Sequence, residues 1–288
     1  MKDLSQQDVA SEIMTRRVVT AGPNDSLLHV SELMERHGIS RVVIEDQNKA
    51  VGIVTQKDLI AFLLDDVSPR GMDEMKTSEA MTTGLITAEL TTPIQEVAKK
   101  MVWKDISSVV IVDEKGMLAG IVTKSDLTMY CAKRCAGIHK VRDFMTPNPV
   151  TVTPTYSVFS VVSTMRQKNI TRVLVVEETL LGIITLADLS SAGAIFAPAK
   201  LVRERRAVSV KGLIVPAASI TKLTARDIMT PNPKTVREDE DISDAAGIMA
   251  RNRFGGMPVV NARDELVGII TETDVTKALA SPSQPQRG

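Results

Sequence analysis

Aromatic residues and net charge are both scarce in this chain of 288 residues. Trp, Tyr and Phe together make up 3% of it, which argues against an aromatic platform for stacking single-stranded nucleic acid. Lys plus Arg and Asp plus Glu number 35 each, and this neutral balance argues against nucleic acid or a membrane as a general partner. The basic run Lys200–Arg206 keeps a nucleic-acid partner as the weakest option that we consider.

Long apolar runs are absent, and cysteine is almost absent. No apolar stretch approaches the ~18 residues that a membrane-spanning helix needs, and the N-terminus lacks the apolar core of a signal peptide. Cys131 and Cys135 are too few for a disulfide framework, and no histidine has a spacing that completes a metal site with them. We therefore expect a soluble cytoplasmic protein with two reduced, partly buried thiols, no metal and no membrane role of its own.

One pattern occurs four times along the chain, and each copy opens on a Met-Thr pair. In every copy a Thr follows the opening Met by six residues, and a second Met follows it by twenty. Apolar residues between them recur at helical spacing, which predicts the buried face of an amphipathic helix. The opening pairs are Met14-Thr15, Met81-Thr82, Met145-Thr146 and Met229-Thr230. The predicted buried residues are Leu27 and Val30, Ile94 and Val97, Val158 and Val161, and Ile242 and Ala245.

A capping box predicts where that helix begins in the second copy. Thr92 is placed to cap it, Pro93 suits the first helical position, and Gln95 completes the box. After the helix, each copy has a short Val-rich segment, which is too short for a helix and predicts a strand. A second strand follows and ends on Gly, two β-branched residues, Thr, two variable residues and Asp. These endings are residues 52–58, 120–126, 182–188 and 268–274.

Each copy is therefore predicted as strand, helix, strand, strand, helix, which makes the fold class α/β (α+β). A unit of about 50 residues has only a small core, so we expect copies 1 and 2 to pair, and copies 3 and 4 likewise. The two pairs would then pack into a single disk. We place copy 1 at 1–66, copy 2 at 67–135, copy 3 at 136–190, an inserted linker with a helix and a hairpin at 191–222, copy 4 at 223–280, and a disordered tail at 281–288.

The repeated Thr-x-x-Asp has a purely structural explanation, because a Thr followed three residues later by an acid caps a helix. Three features favour an additional role. All four copies use Asp where Glu or Gln is the usual partner, and all four attach it to a Gly-plus-β-branched strand. All four also place a Thr six residues after the opening Met, at the end of the first predicted strand.

This framework resembles the CBS domain, which occurs in pairs called Bateman modules. The resemblance covers nearly the whole chain, apart from residues 190–222 and the tail, and the architecture is similar to that of the gamma subunit of AMP-activated protein kinase. It implies that an adenosine group lies in a cleft between paired copies, with its base held by backbone groups and apolar side chains.

The resemblance also implies a role for each repeated polar residue. The closing aspartates would accept hydrogen bonds from the ribose hydroxyls: Asp58, Asp126, Asp188 and Asp274. The threonines three residues earlier would face ribose or phosphate: Thr55, Thr123, Thr185 and Thr271. The threonines after the opening Met would line the ribose and the base: Thr20, Thr87, Thr151 and Thr235.

Arg41 and Arg172 start the middle strand, at a position that carries phosphate-contacting arginines in the kinase gamma subunit. Copies 2 and 4 have Ser108 and Gly256 there, so we expect non-equivalent sites with one cation serving each pair. The alternative is that these arginines are solvated surface charges.

The chain shows no catalytic triad order, phosphate-binding loop or dinucleotide fingerprint, so we expect no enzyme. We predict a sensor that binds AMP, ADP or ATP as a regulatory ligand, requires no other cofactor, and signals to a separate target protein. A compact monomer and a homodimer are both compatible with the repeats. One alternative is a scaffold or dimerisation protein whose clefts are empty. Another is a sensor of S-adenosylmethionine, which the two arginines disfavour mildly.

Overall fold

The computed structural model describes residues 8–65, 68, 70–191, 208–210, 213–215 and 223–281. Three predictions lie outside these residues: the helix of the insertion, the role of its basic run, and the disorder of the tail. The hairpin predicted for the insertion is confirmed, because β11 (Val208–Val210) pairs antiparallel with β12 (Leu213–Val215).

Each copy has the predicted order of strand, helix, strand, strand and helix, preceded by a one-turn helix that we call its leader. Copy 1 comprises α1 (Ala10–Ile13), β1 (Thr20–Ala21), α2 (Leu27–His37), β2 (Arg41–Asp46), β3 (Lys49–Thr55) and α3 (Gln56–Asp65). Copy 2 comprises α4 (Thr77–Ala80), β4 (Thr87–Glu89), α5 (Ile94–Lys104), β5 (Ser108–Val112), β6 (Leu118–Thr123) and α6 (Lys124–Arg134).

Copies 3 and 4 each add a two-residue strand directly after the leader. Copy 3 comprises α7 (Val141–Phe144), β7 (Thr146–Pro147), β8 (Thr151–Val152), α8 (Val158–Gln167), β9 (Arg172–Val176), β10 (Leu180–Thr185) and α9 (Leu186–Ser191). Copy 4 comprises α10 (Ala225–Ile228), β13 (Thr230–Pro231), β14 (Val236–Arg237), α11 (Ile242–Asn252), β15 (Gly256–Val260), β16 (Leu266–Thr271) and α12 (Glu272–Ala280).

The strand before the long helix and the two strands after it form one small sheet with the same topology in every copy. The short strands β7 and β13 instead join the sheet of the paired copy, where β7 pairs with β16 and β13 with β10. The strand before the long helix pairs parallel with the strand after it, as in β1 and β2. That second strand pairs antiparallel with the next one, as in β2 and β3. The helix packs across the sheet, and all eight predicted stripe residues, from Leu27 to Ala245, are at most 3% exposed. The helical period therefore located the core face correctly in all four copies.

The capping box predicted for copy 2 is wrong. Helix α5 begins one residue later than expected, at Ile94, with Pro93 as its N-cap and no side-chain cap. Thr92 accepts a hydrogen bond from the backbone N–H of Glu89 instead, at 3.0 Å. Gln95 donates to the backbone oxygen of Ser281, directly after the last helix of copy 4, because the second pair of copies packs against this helix end.

Paired copies exchange their leaders. Ala10 of α1 lies in the core of copy 2. In the other direction, the backbone N–H of Thr77 in α4 donates to the backbone oxygen of Asp25 in copy 1. In the second pair, Val141 of α7 lies in the core of copy 4, and Ile228 of α10 lies in the core of copy 3. Each core is thus completed by a segment of its partner, which confirms the predicted pairing of copies 1 with 2 and 3 with 4.

The opening Met-Thr pairs and the repeated glycines meet at this exchange. Thr82 of copy 2 forms a two-way backbone bridge with Ile53 of copy 1, and Met81 packs against Gly52. A Cβ at Gly52 would lie 2.6 Å from the sulfur of Met81, so only glycine leaves room for the methionine. The same contact recurs at the three other repeats: Gly120 with Met14, Gly182 with Met229, and Gly268 with Met145.

The two pairs pack on one another, with copy 1 against copy 3 and copy 2 against copy 4. Ile60 of copy 1 joins the core of copy 3, while Cys131 and Cys135 of copy 2 join the core of copy 4. Both cysteines are unpaired and more deeply buried than expected. The four copies surround a central cavity of about 1310 Å³, to which all of them contribute residues. This arrangement agrees with the predicted disk.

Candidate functional site

The Thr-x-x-Asp motif forms the same capping box at the start of the closing helix in all four copies. In copy 1, the backbone N–H and the hydroxyl of Thr55 both donate to Oδ2 of Asp58, at 2.9 and 2.7 Å. The corresponding distances in the other copies lie between 2.7 and 3.0 Å. The structural explanation of the motif is therefore correct, and any ligand must use the oxygen that the box leaves available.

That second oxygen, Oδ1, has a different environment in each copy. Oδ1 of Asp58 and of Asp126 accepts no hydrogen bond from the described residues. Oδ1 of Asp188 accepts a long hydrogen bond of 3.4 Å from the hydroxyl of Thr230. Oδ1 of Asp274 is held at 3.1 Å by the ammonium group of Lys277. The four sites are thus chemically unequal, although their sequence motif is the same.

Three of the four aspartates line the central cavity, each beside the Met-Thr segment of its paired copy. Asp58 lies on the same wall as Thr82, and the bridge between Ile53 and Thr82 holds the two segments together. The equivalent combinations are Asp188 with Thr230 and Asp274 with Thr146. The threonines of these Met-Thr pairs line the cavity, although the repeat pattern predicts no role in binding for them.

Several predicted site residues do not line this cavity. Thr123 and Asp126 of copy 2 are absent from its wall, unlike their counterparts in the other copies. The threonines expected to face ribose and base are absent as well: Thr20, Thr87, Thr151 and Thr235. The first three begin their short strands and Thr235 precedes one, so their predicted place at the end of the strand is wrong. These strands begin at or just after the threonine because the segment before it crosses to the paired copy.

Arg41 and Arg172 both line the cavity and reach from one copy toward its partner. The guanidinium of Arg41 donates to the backbone oxygen of Ser107 at 2.6 Å and to the hydroxyl of Ser40 at 3.0 Å. Arg172 lies against Gly255 and Gly256 of copy 4, where a Cβ at Gly256 would stand 3.3 Å from its Cδ. Both side chains are half-buried against the paired copy rather than fully solvated, and their contact with phosphate stays a prediction.

The guanidinium of Arg172 has no direct partner among the described residues, neither a hydrogen-bond acceptor nor an ion pair. The carboxylates of Glu272 and Asp274 act on its charge only from a longer distance. Burial lowers the pKa of both Arg41 and Arg172, and the carboxylate of Glu272 opposes that lowering in each. A sheltered cation without a partner is costly, so this position is electrostatically prepared for an anion.

Copies 2 and 4 contact each other through two charged residues, Lys124 and Glu272, for which the repeat pattern predicts no role. Glu272 accepts a hydrogen bond of 2.6 Å from the hydroxyl of Ser125, and Lys124 donates to the hydroxyl of Thr273 at 3.0 Å. All four residues follow a closing Thr by one or two positions, where the repeat pattern allows any residue. These positions differ from copy to copy, so the shared pattern of the four copies predicts no role for them.

Within the part of the chain that the structure describes, no group of three or more His, Cys, Asp or Glu side chains is placed to hold a metal ion. No described helix combines the length and the apolar character needed to cross a membrane.

Comparison with known proteins shows what the whole chain resembles. A sequence model of the CBS domain matches residues 9–65, 78–133, 141–194 and 225–281. The uncharacterized protein MJ1225 of Methanocaldococcus jannaschii is 26% identical over 280 residues, which are 92% of this chain and 96% of that protein. Beyond these matched ranges, the boundaries that we set between the copies stay a prediction.

Two crystal structures share the fold over the full length. That of MJ1225, which was proposed to be an archaeal homologue of g-AMPK, superposes with a TM-score of 0.77 and 23% identity, covering 94% of this chain and 99% of the other. An uncharacterized conserved protein from Pyrococcus horikoshii gives a TM-score of 0.64 at 18% identity, covering 94% and 100%. At these identities the similarity establishes the arrangement of the four copies and nothing about ligands.

Proposed function

The chain belongs to the CBS domain family, and from that membership we propose that it is a non-catalytic regulator that binds an adenine nucleotide. AMP, ADP or ATP would occupy clefts between paired copies and direct its phosphates into the central cavity. The bound state would be read by a separate target protein. Such a sensor would act in the cytoplasm, where buried thiols such as Cys131 and Cys135 stay reduced.

The observation that carries this proposal is the guanidinium of Arg172 on the wall of the cavity, which makes no hydrogen bond or ion pair with any residue that the structure describes. A phosphate group is the complementary ligand, because it offers several anionic oxygens to a planar fork of donors. Arg41 lies on the same cavity wall, although its guanidinium already donates to Ser107 and Ser40. This positive charge favours AMP, ADP or ATP over S-adenosylmethionine, which is cationic beyond its ribose.

A ribose contact is supported by the divided carboxylate of Asp58. Its Oδ2 is fixed by the capping box, so the side chain is already oriented before a ligand arrives. Its Oδ1 is left to accept a hydrogen bond from a ribose hydroxyl. The hydroxyl of Thr55 already donates within the box, so we assign that threonine to orienting the carboxylate and, through the helix start, to favouring an anion.

Signalling to a partner would follow from the exchanged leaders. A ligand that contacts Asp58 of copy 1 and the segment after Thr82 of copy 2 touches both members of a pair. It therefore stabilises whichever relative arrangement of the copies brings these two contacts together. A target protein that prefers one arrangement would then respond to the ligand. A homodimer of the chain is compatible with this scheme and is not required by it.

The test is isothermal titration of the nucleotide-stripped protein with AMP, ADP, ATP and S-adenosylmethionine. We expect an adenine nucleotide to bind, and Asp58→Asn to weaken or abolish its binding at one site. Asparagine keeps an oxygen for the capping box but replaces the outward acceptor by an N–H donor, so the fold should survive better than in an alanine variant. Replacing all four aspartates by alanine would remove four capping boxes, each worth about 1 kcal/mol.

Asp227→Asn is the matched control. Thr224 and Asp227 form the same box in the leader α10, with both distances at 2.8 Å, and neither residue lines the cavity. Its nucleotide affinity should equal that of the unmodified protein. If no adenine nucleotide binds and S-adenosylmethionine does, the ligand class is wrong. If nothing binds, the scaffold alternative takes the place of this proposal.

A further inference from the structure

Copy 4 differs from the other copies in two charges on its closing helix. The first position after the closing Thr is acidic only in copy 4, and the third position after the closing Asp is basic only there. The residues at the first position are Gln56, Lys124, Leu186 and Glu272. Those at the second position are Ala61, Met129, Ser191 and Lys277. The box between them, Thr271 and Asp274, is intact.

Lys277 neutralises the atom that a ribose would use. Its ammonium group lies 3.1 Å from Oδ1 of Asp274, and the carboxylate is 3% exposed while the lysine side chain is 48% exposed. Both oxygens of Asp274 are therefore engaged, Oδ2 by the capping box and Oδ1 by a cation from one turn further along the same helix. A ribose hydroxyl can donate to this oxygen only if it displaces the ammonium group or shares the oxygen with it.

Glu272 lies close enough to the two arginines to act on the charges that a phosphate would bind. Its carboxylate acts on the charge of both Arg41 and Arg172, and a Cβ built at Gly255 would lie 3.7 Å from its Oε2 while colliding with the end of Arg172. Ser125 of copy 2 holds the other oxygen, Oε1, at 2.6 Å. The glutamate thus presents an anion to the two arginines from a fixed position.

We propose that Lys277 and Glu272 act as built-in competitors of the nucleotide in the cleft that carries Asp274. Lys277 stands in for the ribose hydroxyl as donor, and Glu272 stands in for the phosphate as anion. The cleft of copy 4 is consequently weaker than the cleft that carries Asp58, whose Oδ1 accepts no hydrogen bond from the described residues. It fills only at ligand concentrations that have already filled the cleft of Asp58, which widens the concentration range to which the protein responds. This inference rests on the proposed function and assigns a regulation to the same cavity.

The test compares AMP titrations of the unmodified protein and of the double variant Glu272→Gln, Lys277→Met. Both replacements keep the length of the side chain and remove its charge, and together they leave the net charge unchanged. We expect the weakest class of sites to tighten at least about tenfold, which corresponds to the release of one charge-assisted contact. Adding Asp274→Asn to the double variant should reverse the gain.

The matched control is Glu96→Gln, Lys100→Met. These residues form an exposed ion pair on α5, at 4.0 Å, and neither lines the cavity. This control should bind AMP as the unmodified protein does. Unchanged or weaker binding by the Glu272 and Lys277 variant, with normal binding by the unmodified protein, overturns the inference and leaves the proposed function standing. If neither protein binds AMP, ADP or ATP, the inference and the proposed function both fail, whereas nucleotide binding by the variant alone supports the inference.

Discussion

The contact between Arg172 and Gly255 allows the role of the cavity to be tested without touching a charged residue. A Cβ at Gly255 would collide with Nη2 of Arg172, and its next contacts are Cζ of the same side chain at 3.4 Å and Oε2 of Glu272 at 3.7 Å. Every obstructing atom belongs to the distal part of a flexible side chain. Gly255→Ala should therefore move the guanidinium aside while the backbone stays in place.

The expected effect on binding follows from the loss of one charge-assisted hydrogen bond, which contributes about 1.5–3 kcal/mol. The Kd for AMP should rise by roughly 10–150-fold, while the Kd for adenosine, which has no phosphate, should change little. The free energy of unfolding should stay within about 1 kcal/mol, because Gly255 lacks the positive φ that would strain an alanine.

Isothermal titration with AMP and adenosine measures these constants, and urea unfolding measures the stability. Arg172→Met should give the same loss for AMP, and adding Gly255→Ala to it should have no further effect, because the two changes act on one contact. The reasoning is refuted if Gly255→Ala leaves AMP binding intact, or if it weakens adenosine as strongly as AMP.

Two further predictions concern the contact between paired copies at Gly52 and the charge of Asp126 in its capping box. Gly52→Ala should destabilise the protein by about 1–3 kcal/mol, because its Cβ would lie 2.6 Å from the sulfur and 3.0 Å from Cγ of Met81. The control is Gly22→Ala, whose Cβ would have its nearest atom 3.6 Å away and whose free energy of unfolding should stay within about 0.5 kcal/mol of the unmodified protein. Equal losses in urea unfolding would show that the methionine contact does not limit this position. Burial raises the pKa of Asp126 above its ordinary 3.8, so its carboxyl contributes stability that is fully present below 3.8 and is lost as pH rises through the folded pKa. The unfolding free energy of Asp126→Asn relative to the unmodified protein should therefore improve as pH rises across that window, and a difference that stays constant with pH would contradict the assignment.

The order of elements and the core were predictable because they depend on local periodicity. The stripe that includes Leu27 and Val30 and the strand that ends at Thr55 repeat in every copy with little variation, so four matches support one another. The partnership of the copies was also predictable, because a unit of this size cannot bury its apolar surface alone.

The exchange of leaders was not predictable from the same pattern. Repetition shows that Met81 and Gly52 occur together in each copy, but it does not show whether they meet within a copy or across a pair. For the same reason, the repeated methionines predict only a general role in the core. Ser108 and Gly256 did predict that the sites are not equivalent. The ion pair of Lys277 with Asp274 was not predicted, because Lys277 stands at a position that the copies do not share.

The exchanged leaders also determine the order in which the chain can fold as it leaves the ribosome. Copy 1 has no complete core until α4 has been synthesised, and α1 must wait for copy 2 before it finds its site. Copy 3 waits longer, since its core is closed by α10, which follows the insertion at 191–222. Closing a longer loop costs more entropy, about 0.6 kcal/mol for each doubling of its length. The second pair should thus expose its unfinished sheet for longer than the first, which makes residues 136–191 the stretch of the nascent chain most in need of protection by a chaperone.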